Sequence, residues 1–300
     1  MGRGIATALP AGRRTSRLPS RGKPVRSPWM HVLSNTSSAK TDFPWWLVVA
    51  VAIAVAVAVF IITNGIYAQV FQTVAKGIGI TVFVTLVGFA LASILGLGIA
   101  LMGLSGSIWL RQISRFYVEI IRGVPILVLL FWIAFVGAPG FVAGWNALTA
   151  PLQEAGILSP LQVRDVSLLW RAIIALTIGY SAFISEVFRA GIQSVDPGQI
   201  EAAKALGLTR YQRFRLIVLP QAIRTILPPL GNDFVAMVKD SSLVSVLGVA
   251  DITQMGKVYA SGSFRFFETY SMVAYIYLIL TVGLSLALRA LERKLRRQNY

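Results

Sequence analysis

Three stretches of this 300-residue chain, 43–75, 77–110 and 123–153, contain no Asp, Glu, Lys or Arg. About 20 apolar residues suffice to cross the hydrocarbon of a bilayer, and each run exceeds that. Such a chain cannot bury these runs in a water-soluble core of ordinary size. Charged residues make up 13% of the chain, against about 25% in soluble domains. The fold class that follows is an all-α polytopic membrane protein.

Hydrophobic patterning predicts six spans, at about 45–63, 77–104, 124–143, 168–190, 226–249 and 268–288. The first is longer than a signal-peptide core and has no small-residue cleavage site, so it is read as a retained span. Residues 1–42 are rich in Arg, Ser and Pro, and Asp42 is their first acidic residue. Their composition resembles an organellar transit peptide, but the charge pattern favours a basic, disordered cytoplasmic tail. With that tail inside, the inside segments are the tail itself (1–42), 105–123, 189–225 and 289–300. They hold 22 of the 28 Lys and Arg residues. Positive charge concentrates on the cytoplasmic side of membrane proteins, so the expected topology is N-in and C-in. The net charge of +16 therefore reports orientation in a lipid bilayer, and no nucleic-acid partner is expected. The domain reading is a tail (1–42), an extra N-terminal helix (43–66), a membrane core (70–290) and a basic C-terminus (291–300).

Cysteine is absent and the single histidine, His31, lies in the tail. Disulfides, thiol nucleophiles, Cys- or His-based metal sites and a Ser-His-Asp triad are excluded together. No catalytic residue, metal site or bound cofactor is expected.

Two further patterns concern packing. Gly88, Ala92, Gly96 and Ala100 recur every four residues, a flat stripe that lets another helix approach closely. Packing within the chain is favoured over a dimer contact. Residues 144–166 read as an external connection containing Pro151, Pro160 and a short surface helix.

The segment 194–224 is polar, basic and helix-forming, an anomaly in so apolar a chain. Asp196 is an N-cap with Pro197 at the first helical position, and Gln199 stands where a capping box needs it. Glu201-Ala202-Ala203-Lys204-Ala205-Leu206 are strong helix formers, and Gly207 suits the left-handed residue that closes a helix. Thr209 and Gln212 form a second capping box, for a helix expected to end near Pro220. Ala202, Ala203 and Leu206 give the first helix a small, smooth apolar face. Such a face fits a partner's groove better than it fits a bilayer surface, for which it is too weakly apolar.

Glu201-Ala202-Ala203, Gly207, Ile217 and Leu219-Pro220 resemble, with every spacing matched, the EAA motif of ABC-importer permeases. Arg122-Gly123-Val124-Pro125-Ile126 is similar to the Arg-Gly-Thr-Pro-Leu signature of the polar amino acid uptake group within that family, with Val for Thr. Lys239-Asp240-Ser241-Ser242-Leu243 is similar to its Lys-Asp-Thr-Ser-Leu signature, with Ser for Thr. The resemblance covers about residues 70–290. Residues 1–66 depart from the shortest members, which have five spans and an external N-terminus. The resemblance implies a type I importer permease fold in a bacterial inner membrane. It implies that the loop is a coupling helix seated on a cytoplasmic ABC ATPase subunit. It also implies a second permease chain, identical or related, and an external solute-binding protein. The chain has no Gly-x-x-x-x-Gly-Lys-Ser/Thr loop, so ATP and Mg belong to the partner subunit.

Ionisable groups inside spans are costly and face a cavity or a partner. The candidates are Glu186 in the fourth span and Asp233, Lys239 and Asp240 in the fifth. Asn232 and Lys239 share one helical face, and Asp233 and Asp240 the next. Pro228-Pro229 and Gly231 are expected to interrupt the fifth span and expose backbone groups to a cavity. For a zwitterionic amino acid, Glu186 or Asp233 would receive the ammonium, and Lys239, Ser241 or Ser242 the carboxylate. Simpler roles compete: an ion pair for Lys239 and Asp240, a Glu186–Arg189 pair, and backbone bonding for Thr81 and Thr85. Arg122, Gly123 and Pro125 are assigned to a structural element at the cytoplasmic gate.

The expected function is the permease subunit of an ATP-driven importer working by alternating access. Its solute would be a polar amino acid, of the glutamine, glutamate or basic type. The alternative is an autonomous channel or secondary transporter, but no inverted repeat relates the two halves. An intramembrane enzyme using Asp233 and Asp240 is remote, since two turns part them by about 10 Å.

Overall fold

A computed structural model describes residues 45–297, with side chains as far as Lys294. The tail 1–42 lies outside the described residues, as do the last three residues of the C-terminal segment. Helix α1 (Trp45–Thr63) ends at Asn64, whose side chain accepts from the N–H groups of Ile66 and Tyr67 and so caps α2 (Gly65–Val74). Residues before Ala52 group apart from the rest; their described part is about two turns of apolar helix. From Ala52 onward one helical unit follows.

A 3-10 turn (Ala75–Gly77) joins α2 to α3 (Ile78–Gly103). The second span therefore reaches back to Gly65 rather than starting at 77. Gly77 is required there: a Cβ would lie 2.4 Å from backbone atoms of Asp251 and Ile252. Next come α4 (Ile108–Gly123) and α5 (Ile126–Trp132), the latter continuing through a widened π turn (Ile133–Gly137) into α6 (Ala138–Glu154). The third span thus runs to 154, and much of the expected external connection is its last turns. A 3-10 turn (Val163–Asp165) leads to α7 (Leu168–Gln193), capped by Ser167. The chain continues through α8 (Pro197–Ala205), α9 (Arg210–Arg213), a π turn (Phe214–Val218) and α10 (Leu219–Asp240). After a 3-10 segment (Ser241–Leu247) come α11 (Ile252–Ser263) and α12 (Phe266–Arg297).

Five of these stretches are long and apolar enough to cross a membrane: 45–63, 65–103, 126–154, 168–193 and 266–294. The expected fifth span, 226–249, is not among them. Its helix, α10, is long enough but carries Arg224, Asn232, Asp233, Lys239 and Asp240. It packs against α3, α7 and α12, which half-bury Asp233 and Asp240 and leave Arg224, Asn232 and Lys239 exposed.

The prolines correct the sequence reading in a second way. Pro220 does not end the helix that begins at Arg210, and Pro228-Pro229 do not break α10. In a regular helix a proline ring collides with the carbonyl four residues back. Here the turn just before Pro220 is widened, so that Leu219 N–H donates to Phe214 O. The same device precedes Pro139, where Ala138 N–H donates to Ile133 O. In both places the helix absorbs the proline by a π turn.

The core is built on α3 and α7. Gly88, Ala92, Gly96 and Ala100 are all buried. A Cβ on Gly96 would lie 2.9 Å from Ser181 O and 3.0 Å from Ile184 Cγ2. The small-residue stripe therefore packs inside the chain. Thr85 Oγ1 donates to Thr81 O at 2.8 Å, its own helix.

Candidate functional site

Pro125 forces the preceding residue out of the helical region, and Val124 is extended at φ −99°, ψ 128°. That elbow between α4 and α5 forms one wall of a cleft of about 490 Å³, a size typical of small-molecule sites. The opposite walls come from Gly179, Tyr180 and Phe183 of α7 and from Asp233, Ala236 and Asp240 of α10. Gly179 lets the walls close up, since a Cβ there would lie 3.3 Å from Ile126 Cδ1.

The cleft gathers Arg122, Gly123 and Pro125 with Asp233 and Asp240, residues far apart in sequence. The seven-residue spacing puts both carboxylates on one face of α10. Tyr180 Oη donates to Asp240 Oδ2 at 2.7 Å. Asp233 Oδ2 is buried and has no hydrogen-bond partner among the described residues. Buried polar atoms are nearly always paired, so an orphan marks a place where something else supplies the donor. The Arg122 guanidinium stands 5.4 Å from the centre of the Phe183 ring, a cation–π distance. The cleft thus offers acceptors on one side and a planar donor on the other, which is what a zwitterion needs.

Other candidates lie elsewhere. Asn232 and Lys239 are exposed and line no part of the cleft. Ser241 is fully buried and its hydroxyl donates to Val238 O at 2.8 Å, so it is spent on its own backbone. Ser242 does not reach the cleft either, and its carbonyl accepts from Ser245 Oγ at 2.7 Å. Glu186 pairs with Arg189, one turn on, at 2.5 Å. The side-chain donor for a carboxylate that lines the cleft is Arg122, since the one O–H of Tyr180 is given to Asp240. Tyr180 and Phe183 were not singled out by the sequence, because an aromatic residue in a span carries no sign of facing a cleft.

Two buried charged groups also went unread. Arg171, 7% exposed, donates to Val166 O at 2.8 Å, Ala134 O at 3.0 Å and Val163 O. The Ala134 carbonyl needs such a donor: Ala138 N–H is taken by Ile133, and Pro139 has none. Asp251, fully buried, caps α11 through Gln254 N–H at 2.8 Å and accepts from Tyr277 Oη at 3.1 Å. Burial pushes its carboxyl above the usual range, and those bonds pull against the shift.

The polar loop has a defined shape. Asp196 accepts from Gly198 N–H at 2.6 Å. Gln199 does not complete a box with it, because its Oε1 instead accepts from Gln221 Nε2 at 2.6 Å and ties the two helices together. Gly207 sits at φ +76°. Gly207 N–H donates to Lys204 O at 2.9 Å and Leu208 N–H to Ala203 O at 3.1 Å, the paired bonds of a Schellman cap. Thr209 and Gln212 form the reciprocal box. Ala203 is the one buried residue of α8, which packs on the Phe214–Val218 turn. Neighbours in sequence are about 100° apart on a helix, so Ala203 leaves the outward face that Ala202 and Leu206 share. Leu206 is 80% exposed there.

Residues 92–297 match the model of the binding-protein-dependent transport system inner membrane component family. The chain is 38% identical to the probable amino-acid permease protein YxeN of Bacillus subtilis, over 74% of this chain and 91% of the relative. It is 32% identical to the glutamine transport system permease protein GlnP of Escherichia coli, over 74% and 92%. A crystal structure of an amino acid ABC transporter with histidines is similar at 36% identity and a TM-score of 0.61, covering 76% of this chain and 95% of that one. An inward-facing structure of the MetNI methionine ABC transporter shares the fold at 20% identity and a TM-score of 0.56.

Proposed function

We propose, for a chain that belongs to the family of binding-protein-dependent transport system inner membrane components, that it is the permease subunit of an ATP-driven importer of a polar amino acid. The cleft carries this reading. It sets two carboxylates and a guanidinium within one cavity of about 490 Å³ between the elbow and two helices. One carboxylate receives the ammonium of a free amino acid, and Arg122 its carboxylate. Relatives named as amino-acid permeases support the same solute class.

The helix pair at 194–224 is the joint to a separate ATPase on the cytoplasmic face. Its outward face, Ala202 and Leu206 flanked by Glu201, is exposed and small enough to enter a groove. Gln199–Gln221 couples α8 to the helix that continues into α10, and α10 bears both cleft carboxylates. A push on the loop therefore travels along one continuous helical path to the cleft. Alternating access follows if that push opens the cleft to one side at a time, with an external binding protein delivering the solute and a second permease chain completing the path. The proposed location is the bacterial inner membrane.

Reconstitution tests this. Vesicles containing this chain, its ATPase and its binding protein should accumulate labelled amino acid with ATP and not without it. Vesicles containing the chain alone should show no amino acid flux. Downhill flux through the chain alone would establish an autonomous channel or transporter instead.

A further inference from the structure

The charges facing the cleft are unequal. Asp233 and Asp240 come from α10 and Arg122 from the end of α4, while α5 and α7 bring no charged side chain to it. Glu186, further along α7, is matched by Arg189 at 2.5 Å, and Lys239 is exposed outside the cleft. Two carboxylates therefore stand against one guanidinium.

A free amino acid brings one ammonium and one carboxylate. Its carboxylate matches the planar donor of Arg122, and its ammonium matches one Asp. Asp240, already held by Tyr180 at 2.7 Å, is fixed in place for that role. Asp233 is then left over, with a buried oxygen that no described residue reaches. A buried carboxylate oxygen without a partner is costly, and a second positive group on the solute removes that cost. Glutamine leaves it in place, and glutamate adds a third negative charge. Seven residues separate the two Asp along α10, about 10 Å, which suits a long side chain with its charge at the far end.

From this charge balance, which rests on the cleft being the solute path, we infer that the transported solute is a cationic amino acid whose side-chain cation seats against Asp233. The relatives named for glutamine transport do not carry that conclusion; the cleft's own residues do.

L-arginine and L-citrulline test it, being nearly the same shape and differing in charge. Binding of each is measured by equilibrium dialysis to the purified permease–ATPase complex without binding protein, alongside L-glutamate. Arginine should bind at least about tenfold tighter than citrulline, as expected for one charge-assisted bond, and glutamate weakest. Asp233→Asn should bring the arginine-to-citrulline ratio close to one, while Asp233→Glu keeps the preference and guards against a folding artefact. Equal binding of arginine and citrulline, or an unchanged ratio in Asp233→Asn, overturns the inference. If ATP-driven uptake of some amino acid persists in that case, the permease reading stands alone. If no amino acid is taken up under any condition, both fall.

Discussion

Gly207→Val isolates the turn that gives the docking loop its shape. The residue sits at φ +76°, and no atom lies within 4 Å of a Cβ built there. The Cβ therefore meets no collision, and the penalty it brings is that of the left-handed backbone, about 1–2 kcal/mol for an L-residue. Opposing it are the two capping bonds, from Gly207 N–H to Lys204 O and from Leu208 N–H to Ala203 O, each worth about 1 kcal/mol net. The strain is comparable to what holds the turn shut, so the open population should rise roughly 5–30-fold. Hydrogen exchange at the Leu208 amide reads this directly, and protection there should fall by that factor. Amides within α7 and α10 should be unaffected, since the turn shares no packing with their cores. ATP-driven uptake should fall with the loss of protection. Asn tolerates the left-handed region, so Gly207→Asn should stay close to the parent protein. If Val matches Gly in exchange and uptake, or Asn is as damaging as Val, the backbone argument is wrong.

Three other substitutions probe the core and the cleft. Gly96→Ala places a Cβ 2.9 Å from Ser181 O, so α3 and α7 must part, and thermal unfolding in detergent should show a loss of about 1–3 kcal/mol. Gly98→Ala, with nothing within 4 Å, should be neutral or stabilising by up to about 1 kcal/mol; equal effects at both sites would contradict the stripe. Arg171→Met removes the donor to three carbonyls, one of which Pro139 leaves without a helical partner, and should cost about 2–4 kcal/mol in the same assay. Tyr180→Phe frees Asp240 from its 2.7 Å bond. It should weaken amino acid binding by about tenfold with little change in melting.

Local chemistry was legible in the sequence. Asp196, Thr209, Gln212 and Gly207 do at the loop what their residue types require, because a cap depends on neighbours within a few positions. The stripe at 88–100 was legible for the same reason. Long-range consequences were less so. Gln199 has two possible partners, and only the approach of Gln221 decides between them. Ala203 reads as exposed until the second helix covers it. Pro220 reads as a break because the sequence does not show the widened turn that absorbs it, and Pro228 lies within a continuous helix all the same. In the cleft, the face shared by Asp233 and Asp240 follows from helical period. Its orientation toward Tyr180 and Arg122 follows only from how α4, α7 and α10 meet. Lys239 and Ser241 were chosen for their chemistry, and their places on the adjacent and buried faces of the same segment remove them.

The central claim is that an ATPase drives this chain through the 194–224 helix pair. The chain contains no cysteine, so Leu206→Cys, at a position 80% exposed, introduces a single thiol on the proposed docking face. In a transporting complex, a short bifunctional reagent should join that thiol to the ATPase subunit, and the yield should change when ATP is added. An assembled, transporting complex in which Cys at 206 never cross-links to the ATPase would contradict the account.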